Sequence, residues 1–229
     1  MAGFILSGAR WPEVEAGPRR LLVVPLGSLE QHGPHLPMDT DTRIACFVAS
    51  RACAGRAGVG LAPPVAIGAS GEHADFPGTL SIGTAALSLV LVELGRHASL
   101  HWPAMLLVNG HGGNGPAITD AVSRLRDEGR ESHVWHAGLG GGDAHAGRTE
   151  TSMMLALAPS EVLLDQAAAG ETRPIAELLP ELRAHGVRKV SPNGVLGDPA
   201  GAAADEGMRL LDLLVAHLSE TLDSLLVDA

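Results

Sequence analysis

Five side chains that could bind a metal ion lie within twelve positions of the sequence. They belong to the segment GSLEQHGPHLPMDTDTRIA, residues 27–45, and are Glu30, His32, His35, Asp39 and Asp41. The segment directly follows the apolar run LLVVPL, which is typical of a buried strand. It is therefore either a polar surface turn or one half of a metal site, and the other parts of the sequence must decide between the two.

Three more segments rich in glycine and polar residues follow predicted strands in the same way. They cover residues 68–79, 111–115 and 138–152. In parallel sheets, functional residues gather at the carboxyl ends of the strands. Seven of the eleven histidines lie in or beside the four segments, namely His32, His35, His73, His111, His133, His136 and His145.

The residue types and their spacing suit a pair of divalent cations. Glu30 and His32 are two residues apart, so both point the same way in an extended segment. Carboxylate and imidazole ligands without thiolate are typical of zinc, manganese or ferrous iron. Two divalent cations bound by three carboxylates leave a net charge of about +1 at the site. Such a pair lowers the pKa of a bridging water, which becomes a hydroxide nucleophile, as in metal-dependent hydrolases. The hypothetical ligand set is Glu30, His32, Asp41, His111 and Glu150.

Each of these signals has a simpler interpretation when it is taken alone. A histidine after a strand is more often a hydrogen-bonded loop residue than a ligand. Asp41 lies at the start of a predicted helix, where an aspartate commonly caps the helix terminus. Only the recurrence of such residues after four successive strands favours a metal site.

Strand and helix patterns alternate along the chain and predict a parallel sheet with helices on both sides. Strands are expected at 21–26, 59–68, 104–110 and 132–138, where the prolines of the second suggest an edge or a bend. Helices are expected at 41–53, 84–100, 115–129, 149–159 and from about residue 203. Residues 170–202 show little periodicity and are interpreted as a long irregular excursion. A single α/β domain over residues 1–229 is the resulting prediction.

The helix patterns also predict individual buried residues. The helix at 84–100 should begin at a Thr84 cap and bury one face. That face carries Leu87, Leu91, Leu94 and Ala98. The C-terminal helix should bury Met208, Leu211, Leu214, Val215, Leu218 and Leu222.

Composition excludes several classes of function and location. The formal net charge of −10 and the absence of a basic patch argue against nucleic-acid binding. No run approaches the roughly 20 apolar residues of a membrane helix, and no signal peptide is recognisable. Cys46 and Cys53 are seven residues apart on one predicted helix, too far for a local disulfide. We therefore expect a cytoplasmic protein with reduced thiols.

The chain resembles the creatininase, or creatinine amidohydrolase, family. The matching pieces occur in the family's order and are PLGSLEQHGPHLPMDTDT, GASGEHADFPGT, NGHGGN, HAGRTETSMMLAL and NGVLGDPAGAAADEG. The resemblance implies a three-layer α/β/α fold with a mainly parallel sheet, a homo-oligomer that is usually hexameric, and a binuclear metal centre. The native metals would be two ions of Fe²⁺, Zn²⁺ or Mn²⁺ per chain.

The resemblance also implies a role for each matching residue. Glu30, Asp41 and His111 would hold one metal ion. A second ion would be held by His32, Asp41 and Glu150, so that Asp41 bridges the two. The family histidine near the substrate matches His145, which is a candidate acid/base for proton delivery to the leaving nitrogen.

One departure from the family pattern bears on the substrate. Enzymes that act on creatinine carry a glutamate two positions after the histidine matching His111, and this chain has Gly113 there. Residues 70–87, 143–159 and 194–202 are most similar to the branch that matures the redox cofactor mycofactocin. That branch implies release of a C-terminal Val-Tyr dipeptide from a modified precursor peptide. The alternative is a small-molecule amidohydrolase, either a formamidopyrimidine deformylase or a hydrolase of creatinine or another cyclic amide.

The substrate pocket is expected to include four features of the chain. Glu72 and His73 are the candidate substrate residues, and Phe76 and the 139–145 loop complete the predicted pocket.

Overall fold

The structure is a computed structural model that describes residues 4–138, 140 and 142–227. Five parallel strands form one sheet in the order β1-β3-β2-β4-β5. The strands are β1 (Phe4–Ile5), β2 (Leu21–Leu26), β3 (Val59–Leu61), β4 (Ala104–Asn109) and β5 (Glu131–His136).

Helices cover both faces of this sheet. The α-helices are α1 (Trp11–Ala16), α2 (Thr40–Cys53), α3 (Gly83–Ala98), α4 (Gly115–Asp127), α5 (Arg148–Leu157), α6 (Ile175–His185), α7 (Val187–Val190) and α8 (Ala204–Val227). Short 3₁₀ turns span Gly71–His73, Gly112–Asn114, Pro159–Glu161 and Leu164–Gln166. Within the described residues, no helix combines the length and the apolar character that a membrane span requires.

Alternating residues of the central strands explain the three layers. Leu21 and Val23 of β2 pack in one core with residues of α2 and α8, whereas Leu22 and Val24 pack in the other core with residues of α3 and α4. A continuous apolar strand is needed because both of its faces are covered. Each fully buried leucine contributes about 1.5–3 kcal/mol relative to an exposed one. The predicted α/β/α class is confirmed.

The register of the strands aligns their carboxyl ends. Leu26 of β2 lies opposite Asn109 of β4, which in turn lies opposite His136 of β5. The loops that follow β2 and β4 therefore leave the sheet at the same edge. This edge is where the candidate site forms.

The predicted excursion at 170–202 is partly wrong, because it contains the helices α6 and α7. Only Leu178 and Leu182 of α6 are buried, and Pro180 interrupts its interior. So few buried positions give almost no periodicity in the sequence. The short elements β1 and α1 were not predicted for a similar reason, since α1 contains no buried residue.

The strand predicted over 59–68 is shorter than expected. It ends at Leu61, before the paired prolines, and only Val65 rejoins the sheet through an isolated bridge with Leu26. The predicted Thr84 cap is also wrong. Helix α3 begins one residue earlier, at Gly83, without a side-chain cap.

Two predicted core residues, Leu94 and Met208, are each 40 % exposed. In both helices, the glycine next to the predicted core residue contacts the adjacent helix in its place. A side chain on Gly95 of α3 would overlap Leu125 of α4, and one on Gly207 of α8 would overlap the backbone of Ser152 in α5. The helices thus approach their neighbours at the glycines, which turns Leu94 and Met208 toward solvent.

Candidate metal centre

The loop after β2 brings Glu30 and His32 into the interior, where each is fully buried. The backbone N–H of Glu30 donates to the carbonyl of Met38 at 3.0 Å, so the loop doubles back before α2. His32 Nδ1 lies 3.0 Å from the Glu30 carbonyl oxygen. A carbonyl only accepts, so Nδ1 carries the proton and Nε2 is left to bind a cation. This is the usual second contact of a metal-binding histidine.

Asp41 lies between two histidines in the first turn of α2. Its Oδ1 is 3.2 Å from His32 Nε2, and its Oδ2 is 3.2 Å from His111 Nδ1. Oδ2 also accepts a hydrogen bond from Ser28 Oγ at 2.8 Å. The N-cap position belongs to Asp39, so Asp41 does not act as a helix cap.

Two asparagines hold the loop that carries His111. Asn109 Nδ2 donates to the His111 carbonyl at 2.7 Å, and Asn114 Nδ2 donates to the Gly27 carbonyl at 3.0 Å. Asn114 Oδ1 accepts from the Ala69 backbone at 2.9 Å. These side chains tie together the loops after β2, β3 and β4. Sequence reasoning missed their role, although both begin or end the NGHGGN motif.

Glu150 enters the site from the first turn of α5. Its Oε2 accepts a hydrogen bond from the Ala146 backbone N–H at 2.6 Å. The residue is only partly buried, unlike the other four hypothetical ligands. Helix α5 thus adds a third carboxylate to those of Glu30 and Asp41.

The five hypothetical ligands come together in two overlapping groups of three. Within each group, one ligand atom from every residue lies within 4.8 Å of the others. The first is Glu30, Asp41 and His111, and the second is His32, Asp41 and Glu150. A further group places His145 beside Glu30 and His32.

The carboxylate oxygens of Glu30 lie near imidazole nitrogens but accept no hydrogen bond, and they fit a bound cation. Both Glu30 Oε1 and Oε2 are buried without a hydrogen-bond partner, although His111 Nε2 lies 3.2 Å from Oε2. An ionised carboxylate is costly to bury unless it is paired or coordinates a metal. Oxygen and imidazole donors of this kind suit divalent zinc, manganese or iron.

The ionisation of the cluster reflects its excess of carboxylates. Burial would lower the pKa of His32, but the combined influence of Asp41, Glu150 and Glu30 outweighs burial and raises the pKa to about 10. Burial likewise opposes the effect of the Glu30 and Asp41 charges on His111, whose pKa lies well above its usual value. The cluster therefore attracts positive charge, which divalent cations would supply.

The two glutamates of the cluster differ in ionisation. Burial and the nearby Asp41 disfavour the Glu30 carboxylate, yet His111 and His73 together outweigh them and lower the Glu30 pKa to about 2. Burial is the main influence on Glu150 and raises its pKa to about 7.

The other predicted site residues lie around the cluster. His145 is buried, with Nδ1 3.7 Å from Glu30 Oε1. His73 is also buried, with Nε2 3.5 Å from the same oxygen. Burial lowers the pKa of both imidazoles, and that of His145 falls well below its usual value. Glu72 lies nearer the surface, with Oε1 3.5 Å from His111 Nε2.

Some residues of the same types are not brought to the cluster. His35 Nε2 contacts Thr151 Oγ1 at 2.9 Å. Asp39 Oδ1 forms an ion pair with Arg43 Nε of α2 at 2.7 Å. His133 pairs with Glu131 within β5 at 2.9 Å. His136 contacts Asn109 Nδ2 at 3.2 Å. Of the seven histidines near strand ends, only His32, His73, His111 and His145 gather around Glu30.

A cavity of about 250 Å³ opens beside the cluster. The cavity is lined by Asp41, His111, His145 and Glu150, together with residues 142–144 of the loop between β5 and α5. Of the predicted pocket residues, Glu72, His73 and Phe76 do not line this cavity, and Arg188 stacks over the Phe76 ring at 5.2 Å. Residues 139 and 141 of the predicted pocket loop lie outside the described residues.

Curated relatives share much of the sequence. The chain is 53 % identical over 201 residues to a mycofactocin precursor peptide peptidase of Mycolicibacterium smegmatis, covering 85 % of this chain and 81 % of the relative. It is 51 % identical over 214 residues to the protein of that name from Mycobacterium ulcerans, covering 90 % and 82 %. A formylaminopyrimidine deformylase of Methanothermobacter marburgensis is 33 % identical over 181 residues, covering 74 % and 71 %.

Solved creatininases share the fold. One creatininase variant superposes with a TM-score of 0.81 at 26 % identity, covering 97 % of this chain and 98 % of its own. Another variant, described as Zn-Zn type, gives a TM-score of 0.76 at 25 % identity and covers 98 % of each chain. A creatininase described with Mn gives 0.74 at 25 % identity, covering 97 % and 98 %. The family model of creatininase, described as creatinine amidohydrolase, matches residues 7–222. The chain belongs to the creatininase family and is an amide-bond hydrolase.

Proposed function

We propose that this chain is a metal-dependent peptidase that releases the C-terminal Val-Tyr dipeptide from the modified mycofactocin precursor peptide. Its similarity to two mycofactocin precursor peptide peptidases, at 53 % and 51 % identity, supports the substrate. The observation that carries the metal dependence is the buried Glu30 carboxylate, neither oxygen of which has a hydrogen-bond partner.

The proposal divides the cluster between two divalent cations. Glu30, Asp41 and His111 would hold one ion, and His32, Asp41 and Glu150 would hold the other. When bound, such ions polarise the scissile carbonyl and lower the pKa of a water molecule. The remaining chemistry falls to side chains of the chain itself.

His145 is the proposed acid/base. It lines the cavity, and its Nδ1 faces Glu30 rather than solvent. A neutral imidazole at this position can take up at Nδ1 the proton that the attacking water loses, and it can deliver that proton to the leaving nitrogen as the C–N bond of the amide breaks. Its burial keeps the imidazole neutral before the reaction begins.

Glu72 and His73 are the proposed substrate residues. Both lie on the 3₁₀ turn after β3, and Glu72 is the more exposed of the two. A side chain at Gly113 would overlap the Glu72 carboxylate, which comes within 2.4 Å of its Cβ position. Glycine at this position therefore gives Glu72 access to His111. This contact distinguishes the chain from the creatinine-specific pattern of a glutamate there.

The size of the cavity suits the end of a peptide. At about 250 Å³ it lies slightly below the 300–1,000 Å³ of typical ligand pockets. The terminal residues of the precursor or a small amide would fit, whereas the rest of a peptide must lie outside. The cavity alone therefore leaves the small-amide alternative as the competing outcome of the experiment.

The experiment incubates the full chain, loaded separately with Zn²⁺, Mn²⁺ or Fe²⁺, with the modified precursor. Mass spectrometry should detect Val-Tyr and the shortened peptide. Glu30→Gln is the matched control, because it keeps the side-chain shape but removes the charge. Cleavage without any bound metal would contradict the metal dependence. Turnover of a formamidopyrimidine or of creatinine, with no peptide cleavage, would replace the proposed substrate by the alternative.

We also propose a homo-oligomer, hexameric by family resemblance. The exposed apolar side chains of Leu89, Val90 and Leu94 on α3 support a contact between copies, since they are 39–56 % exposed. Light scattering coupled to gel filtration measures the assembly. A monomer at micromolar concentration would contradict this proposal.

A further inference from the structure

Gln31 lies between two proposed metal ligands, and its side chain contacts two other histidines. Its Nε2 is 2.9 Å from His73 Nδ1 and 3.1 Å from His145 Nε2. The same nitrogen donates to the carbonyl of Gly194 at 2.9 Å, and Oε1 accepts from the Gly33 backbone N–H at 2.8 Å. The side chain is buried, so these contacts account for its polar atoms.

Hydrogen bonds at both the oxygen and the nitrogen of the Gln31 side-chain amide fix its orientation. The Gly33 N–H requires an acceptor, and the Gly194 carbonyl requires a donor. Exchanging the amide oxygen and nitrogen would break both hydrogen bonds. The amide nitrogen therefore has two hydrogens for three neighbours, and Gly194 takes one of them.

The second hydrogen can go to only one of the two imidazoles. His145 Nε2 lies 2.8 Å from the backbone carbonyl of Gln31, which only accepts. His145 Nε2 must therefore carry a proton, and it cannot accept another from the Gln31 amide. The amide donates instead to His73 Nδ1, which must then be unprotonated.

These assignments place a proton on Nε2 of both neutral imidazoles, but the two rings face Glu30 with different atoms. His73 directs Nε2 toward Glu30 Oε1 at 3.5 Å, and His145 directs Nδ1 toward the same oxygen at 3.7 Å. We propose that Gln31 is a positioning residue that makes His73 present an N–H, and His145 a lone pair, to the same side of the metal centre.

This inference deepens the proposed function and rests on it for its catalytic meaning. A lone pair on His145 Nδ1 lets this atom accept a proton before it returns one to the leaving nitrogen. His73 can only donate from Nε2, so it is suited to hold a substrate oxygen or Glu30 in place. The two histidines, whose ring centres are 4.6 Å apart, would then have different roles.

Nitrogen-15 NMR of the zinc-loaded full chain tests the tautomers without any substrate. Protonated and unprotonated imidazole nitrogens have well-separated chemical shifts, and His73→Gln and His145→Gln assign the two residues. We expect a protonated Nε2 in both. A protonated Nδ1 on either neutral ring would overturn the inference, whether or not the peptidase proposal holds.

Gln31→Glu provides the sharper test because a carboxylate cannot donate to His73. We expect Nδ1 of His73 to gain a proton, while Nε2 of His145 stays protonated by its contact with the backbone carbonyl. Because only His73 changes, the KM for the precursor should rise about 10-fold, the equivalent of one hydrogen bond, whereas kcat, which depends on His145, should change less. Unchanged His73 signals in this variant would refute the role of Gln31.

Gly194→Ala displaces the Gln31 side-chain amide, and with it the contact between Gln31 and His73. This variant replaces Gln31→Glu in the test if Gln31→Glu does not fold. Its added Cβ would lie 1.8 Å from Gln31 Oε1, at a φ of +83°. Gly55→Ala is the matched control, since its φ is +75° and nothing lies within 4 Å of its Cβ. The His73 signals should change in Gly194→Ala alone. Equal spectra in the two variants would contradict the inference.

Discussion

Glu30 and Glu150 supply carboxylates to the two groups of the cluster, but the protein holds them differently. Glu30 is fully buried, and neither of its oxygens accepts a hydrogen bond. Glu150 is partly exposed beside the cavity, and its Oε2 already accepts from Ala146. We call the group of Glu30, Asp41 and His111 the inner group, and the group of His32, Asp41 and Glu150 the outer group.

The difference indicates unequal metal affinity. The inner group offers a fully buried carboxylate whose oxygens accept no hydrogen bond, so an ion there should bind tightly. In the outer group, Glu150 Oε2 already accepts a hydrogen bond from Ala146, and a proton competes with a cation for the carboxylate because burial raises the Glu150 pKa to about 7. An ion in the outer group should therefore exchange more readily. Substitutions of the ligand that both groups share, and of those they do not share, test this contrast.

Asp41→Asn should have the largest effect because Asp41 belongs to both groups. The neutral amide removes the negative charge between His32 and His111, so both ions should be lost. Activity should fall at least about 1,000-fold, a modest part of the 10⁶-fold or greater acceleration typical of enzymes. Elemental analysis and the peptide assay measure the two effects. Retention of both ions would contradict the assignment of Asp41 as the shared ligand.

Glu30→Gln should remove only the inner ion. Activity should be abolished while circular dichroism shows a folded protein, because ligand loss weakens metal affinity more than the fold. His111→Ala should behave in the same way, since it removes a ligand of the same group. Normal turnover in both variants would refute the inner group.

Glu150→Gln should lower the affinity for the outer ion without affecting the inner one. One ion per chain should dissociate during dialysis, and excess Zn²⁺ should restore it, because two ligands of the outer group remain. Zinc titration against a chromophoric chelator measures this affinity. If Glu150→Gln and Glu30→Gln lose zinc equally, the contrast between the groups is wrong.

The sequence predicts this cluster well where the fold dictates the geometry. Glu30, Asp41 and His111 follow or precede elements with clear periodicity, and parallel strands end at one edge of a sheet. His35 and Asp39 have the same residue types and lie in the same loop, yet they do not reach the cluster. The reversal of the loop, made by the hydrogen bond from Glu30 to Met38, decides which side chains turn inward. Spacing in the sequence does not contain that information.

Long-range contacts explain the other features that the sequence did not reveal. Gln31 lies inside a recognisable motif, but its role depends on Gly194, 163 residues later in the chain. An amide is not a usual metal ligand, so its residue type gave no signal. Helix α6 was missed because only Leu178 and Leu182 are buried. In each case the deciding interaction lies outside the local pattern.

His145→Gln should separate catalysis from metal binding. As a proposed acid/base, His145 should contribute about 10²–10⁴-fold to the rate. Both ions should remain bound, since neither the inner nor the outer group contains it. Elemental analysis together with kcat distinguishes the roles. Loss of an ion would make His145 a metal ligand, in agreement with its position beside Glu30 and His32.

Thr151→Val should have the smallest effect on zinc binding, and it should change the zinc affinity of the outer group only. Thr151 follows Glu150 on α5, and its hydroxyl contacts His35 Nε2 at 2.9 Å. Because His35 Nδ1 is already buried without a partner, the variant leaves both ring nitrogens unpaired. The free energy of unfolding should fall by about 1–3 kcal/mol.

Urea unfolding of the zinc-loaded variant measures this loss. Thr119→Val is the matched control, because it removes an exposed threonine hydroxyl from α4. Outer-group zinc affinity should weaken slightly in Thr151→Val, since His35 helps to anchor the helix turn that carries Glu150. A loss of inner-group zinc in this variant would mean that the two groups are not independent, and the contrast between Glu30 and Glu150 would then have to be abandoned.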